Sequence, residues 1–101
     1  MVKHIVLWKL KDNLDGKPKK ELAAELKSAL EGLKRNIPGI RALEVGLNTN
    51  PAETASDVSL YTEFKTQADL DAYQKHPEHL KVVEFVKKVT TERRVSDYET
   101  R

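Results

Sequence analysis

Between Val2 and Lys11 the sequence VKHIVLWKLK alternates with a period of two. An extended chain therefore places Val2, His4, Val6, Trp8 and Leu10 on one side and Lys3, Ile5, Leu7, Lys9 and Lys11 on the other. The first side is a continuous surface for burial. The second is apolar only at its centre, Ile5 and Leu7, between lysines. Such a strand cannot stand alone: one face requires a full packing layer and the other a partial cover.

The periodicity then switches. Asp12 to Gly16, DNLDG, is turn chemistry, and Leu22, Leu26, Ala29, Leu30, Leu33 and Ile37 recur at spacings of three and four, predicting an amphipathic helix. Pro18 suits its first turn and Pro38-Gly39 stops it. Residues 40–48 alternate again, with Leu43, Val45 and Leu47 on one face and Ala42, Glu44 and Gly46 on the other. After the polar loop TNPAETAS, a third strand over 57–65 carries Val58, Leu60 and Phe64 on one side and Ser59, Tyr61 and Glu63 on the other. Thr66-Gln67-Ala68-Asp69 reads as a helix N-terminus. Pro77 breaks that helix at His76 and begins a new one carrying Leu80, Val83, Val86 and Val89, and a last strand runs from about Thr91 to Glu99.

The order β-α-β-β-α-β in about 100 residues predicts an α+β, ferredoxin-like fold, a four-stranded antiparallel sheet with helices on one face. The other face, with Ile5, Leu7, Ile40, Ala42 and Tyr61, is too apolar for open water and too polar for a monomer core. A second copy of the sheet is the expected cover, giving a homodimer through the sheet face.

Composition narrows the function classes. The 101 residues suit one domain over 1–101. Eighteen basic residues face sixteen acidic ones, interleaved along helices, which argues against a nucleic-acid partner. The absence of cysteine removes disulfides and thiolate chemistry and fits a reducing compartment. No stretch approaches the ~20 apolar residues of a membrane span. The N-terminal residues lack a signal-peptide pattern, so a cytoplasmic location without membrane contact is expected.

The chemistry concentrates in YQKHPEH, Tyr73 to His79. His79 reads either as a helix histidine beside Val82, Val83 and Val86 or as a base, because an imidazole titrates near neutrality. Tyr73 reads as a core aromatic or as a phenol donor facing a cavity. His76, before Pro77, reads as a helix-end residue bonded to a free backbone group. His4 shares its strand face with Trp8 and points toward the helices, where hydrogen bonds to helix ends are expected. Trp8 either lines a pocket or fills it. His76, Glu78 and His79 do not match an established zinc spacing, so no metal and no organic cofactor are expected.

The opening VKHIVLWKLK, IPGI at 37–40 with LEVG at 43–46, the YxxHPxH block and the closing DYE at 97–99 together resemble the stress-responsive dimeric A/B barrel (Dabb) family. The resemblance implies two sheets packed face to face in a barrel with the helices outside. It also implies similarity to polyketide cyclases of the olivetolic acid cyclase type, which close a poly-β-keto chain by an aldol reaction without a cofactor. Carried over by motif, Tyr73 and His79 become catalytic and His4 and His76 pocket residues, while Val58 stands where a further pocket histidine would be. The expected function is a homodimeric stress-responsive protein binding a small apolar ligand between sheet and helices, with Trp8 and Val58 beside it. The alternative is a cyclase or lyase with His79 as base and Tyr73 as oxyanion donor.

Overall fold

The computed structural model describes residues 1–101. In chain order the elements are β1 (Val2–Leu10), the short strands β2 (Asn13–Leu14) and β3 (Lys17–Pro18), α1 (Lys19–Asn36), β4 (Ile40–Leu47), β5 (Val58–Phe64), α2 (Gln67–Lys75), α3 (Pro77–Val89) and β6 (Thr90–Glu99). The long strands form one antiparallel sheet in the order β4-β5-β1-β6. This is the ferredoxin-like α+β arrangement that the alternating periodicities predict. No helix is long and apolar enough to cross a membrane.

The alternation of β1 is realised residue by residue, buried and half-buried positions following one another along its length. Val2, Val6, Trp8 and Leu10 meet Leu22, Leu26, Leu30 and Leu33 of α1, Leu70 and Tyr73 of α2, and Val86 and Val89 of α3 in one core. Each such aliphatic side chain contributes about 1.5–3 kcal/mol when fully buried. Strand pairing fixes what stands beside what: His4 lies between Thr62 of β5 and Asp97 of β6, and Trp8 between Val58 and Arg93.

Local chemistry explains the joints. DNLDG closes a two-residue hairpin turn in which Asp15 and Gly16 take φ of 51° and 82°, the left-handed conformations such turns require. Pro18 sits just before α1 rather than inside its first turn. Thr66 caps α2 by accepting the Asp69 N–H at 3.2 Å. His76 is extended, with ψ of 135°, as proline demands of its predecessor, and its Nδ1 accepts the Glu78 N–H at 3.1 Å.

Two expectations are corrected. Ile40 does not belong to the outer sheet face, because a register shift between Ile40 and Ala42 makes Arg41 an extra residue and sets Ile40 opposite Phe64, where it is 3% exposed. Leu80 is half exposed instead of sharing the core face of α3. At about 100° per residue, Leu80 and Val89 are half a turn apart around the helix, so a single core cannot hold both. Val89 is the one buried.

Candidate functional site

A cavity of about 450 Å³ lies between the sheet and α3. Its floor is His4, Val6 and Trp8 of β1 with Leu60 of β5, and its far wall is the stripe His79, Val82, Val83 and Val86. Those four are spaced i, i+3, i+4 and i+7, one face of a helix. Leu30 and Tyr73 complete the buried part, while Lys87, Glu92 and Arg93 are exposed and form its mouth.

Tyr73 is the hub. Its ring centroid is 5.1 Å from Phe64, 4.4 Å from the His79 ring and 6.0 Å from the His4 ring, the last edge-on. Burial pushes its phenol well above the ordinary value, against a smaller opposing pull from the positive charge of Arg93. The hydroxyl therefore stays protonated and is a donor at any working pH.

Both neighbouring imidazoles are anchored through Nδ1. That of His79 lies 3.1 Å from the Gln74 carbonyl oxygen, which can only accept, so Nδ1 carries the hydrogen and Nε2 keeps its lone pair. Burial lowers the His79 pKa below the usual imidazole value, with the Gln74 hydrogen bond opposing and the fields of His4, Arg93 and His76 adding to the lowering. His79 is thus a neutral imidazole near pH 7. His4 is 2% exposed and its Nδ1 lies 2.5 Å from Oδ1 of Asp97. The expectation of helix-end partners is corrected: the partner is on β6, directly across the strand pair. A carboxylate accepts, so this bond also leaves Nε2 as the free nitrogen of the ring.

Trp8 is buried without filling the space, and its indole Nε1 has no acceptor in the protein. An orphaned buried donor costs about 1–3 kcal/mol. Four of the residues singled out in the sequence, His4, Trp8, Tyr73 and His79, thus border one cavity. Two do not. Val58 is 1% exposed inside the core and is not in the cavity lining. His76 uses Nδ1 to cap α3. No three His, Asp or Glu side chains gather as metal ligands would.

Asp97 and Arg93 went unrecognised in the sequence, although Asp97 belongs to the DYE motif. Nothing local marks either one. Only the antiparallel register of β6 against β1, which sets Asp97 beside His4 and Arg93 beside Trp8, reveals them.

Residues 2–100 match the model of the Stress responsive A/B Barrel Domain. A dimeric protein of ferredoxin-like fold from Bacteroides fragilis is 39% identical, with a TM-score of 0.84 over 98% of this chain and 95% of that one. A protein from Arabidopsis thaliana is 20% identical, with a TM-score of 0.82 over 100% and 96% of the two chains. The hydroxynitrile lyase of Passiflora edulis shares the fold at 18% identity, with a TM-score of 0.81 over 96% and 90%. No curated protein sequence matches the chain.

Proposed function

The chain belongs to the stress-responsive A/B barrel domain family, and from that premise we propose that it is a homodimer, joined through the open sheet face, whose subunits each bind a small, mostly apolar molecule between sheet and α3. The observation that carries this reading is the cavity itself, apolar along Val6, Leu60, Val82, Val83 and Val86 with a few polar groups converging on it. The 39% identical Bacteroides fragilis protein is dimeric, which supports the homodimer.

A second reading rests on a specific contact, the tilted packing of the Tyr73 ring against His79 beside His4. It makes the protein a cyclase or lyase of the aldol type. In that reaction Nε2 of His79 removes a proton from a carbon between two carbonyls, and the electron pair moves onto a carbonyl oxygen as an enolate. The Tyr73 hydroxyl donates to the oxygen that becomes negative. The enolate carbon then bonds to a second carbonyl carbon of the same molecule. The alkoxide so formed takes back a proton from the His79 imidazolium, restoring the neutral base. The bulk of Trp8 in the cavity floor argues for a compact substrate.

Thermal-shift titration of apolar fragments against wild type and His79→Ala tests the binding reading. Fragments that raise the melting temperature of wild type by several degrees should lose most of that effect in the variant, whereas an equal effect in both sinks it. A linear polyketone that fits the cavity tests the reaction. Cyclisation faster than in buffer, abolished by His79→Ala and reduced about 100-fold or more by Tyr73→Phe, is the expected result. Cyclisation at the buffer rate removes the enzyme reading and leaves the binding one standing.

A further inference from the structure

The charges at the cavity are not balanced, and the imbalance indicates what kind of ligand it takes. Glu92 is held by Arg94 at 3.7 Å and Lys87 by Glu84 at 3.9 Å. Arg93, also in the lining, is in none of the chain's ion pairs. Its strand partner is Trp8, and their side chains project from the same sheet face. Trp8 contributes the buried indole N–H that has no acceptor. Strand partners that both line the cavity thus contribute an exposed guanidinium in no ion pair and a buried indole N–H with no acceptor in the protein.

We infer that the cavity is built for a monocarboxylate with an apolar body, its carboxylate at Arg93 and its body against Val6, Trp8, Val82, Val83 and Val86. The inference rests on the ligand-binding reading above and narrows it to one class. A guanidinium is suited to a carboxylate, offering two parallel N–H donors to its two oxygens. A neutral oxygen can accept one of these hydrogen bonds but brings no opposite charge to the guanidinium. Glu92 stands opposite Lys9, on the other sheet face from Trp8 and Arg93, and its carboxylate is paired with Arg94. The Asp97 carboxylate is engaged with His4, so it does not compete for Arg93.

Isothermal titration with octanoate and phenylpropionate, each compared with its matched primary alcohol, octanol and phenylpropanol, decides the matter. The acids should bind about tenfold or more tighter than the alcohols, and raising salt should weaken the acids alone. Arg93→Gln should erase the difference, and Lys87→Gln should preserve it. Arg93 is exposed, so the variant is expected to fold. Equal affinity of acid and alcohol in wild type overturns the inference and leaves the apolar pocket intact. An acid preference that persists in Arg93→Gln overturns the assignment to this residue. Binding of none of the four probes overturns both readings.

Discussion

At the scale of single residues, the protonation state of His79 links stability to chemistry. Burial holds its pKa below the ordinary imidazole value of 6.5, so the folded protein takes up this proton less readily than the unfolded chain. A depressed folded value means the neutral ring's contribution is complete above 6.5 and is lost as the pH falls through the folded pKa. The urea midpoint of wild type should therefore fall more steeply between pH 7 and pH 5 than that of His79→Gln, which has no proton to gain. Subtracting the two curves removes the carboxylates common to both, and parallel curves would show that His79 titrates as it does in the unfolded chain. The same shift keeps Nε2 unprotonated in mildly acid solution. The acid limb of any rate that depends on His79 as base should accordingly lie below 6.5.

At the scale of elements, the junction of α2 and α3 separates two meanings of histidine that look alike in HPEH. His76 caps α3 through Nδ1, whereas His79 uses Nδ1 on Gln74 and borders the cavity with its ring. Replacing His76 by Ala should cost about 1 kcal/mol of stability in denaturant titration, with His76→Asn recovering most of it. Probe affinity in the cavity should not change, and a tenfold loss of affinity would instead make His76 part of the site. The break before Pro77 was legible in the sequence because proline constrains its neighbour locally, and the helix and strand order was legible because hydrophobic period is also local. What was not legible depends on register. Ile40 changes face because Arg41 is inserted as an extra residue against β5, and His4 finds Asp97 across 93 positions of chain. Leu80 was misplaced for a simpler reason, since steps of three drift around a helix and a run of them cannot stay on one face.

At the scale of the whole molecule, the subunit is two layers, a sheet and its helices, with a least extent of 17 Å. The helices cover one side of the sheet only. On the bare side Ile5 and Leu7 are already half-buried among their neighbours, and Lys3 and Glu63 are paired within the subunit. Lys3 reaches both the Tyr61 hydroxyl and, at 3.4 Å, the Glu63 carboxylate, while Tyr61 donates to Glu63 at 2.7 Å. Charges paired within the subunit can be covered at less cost than unpaired ones. A second sheet laid over it would bury Ile5, Leu7 and Ala42, and a stable pairing needs about 1,200 Å² or more in total. The proposed homodimer therefore predicts that light scattering at micromolar concentration reports twice the 11.5 kDa of the chain. The unfolding midpoint should also rise with protein concentration, as mass action requires of a dimer that unfolds to monomers. Leu7→Glu, which adds an unpaired carboxylate at the centre of the face, should shift the protein toward monomer and remove the concentration dependence. The cavity lies on the opposite side of the sheet, so a folded monomeric variant should still bind a probe there with unchanged affinity. Wild type at 11.5 kDa, with a midpoint indifferent to concentration, would overturn the dimer and leave the cavity reading untouched.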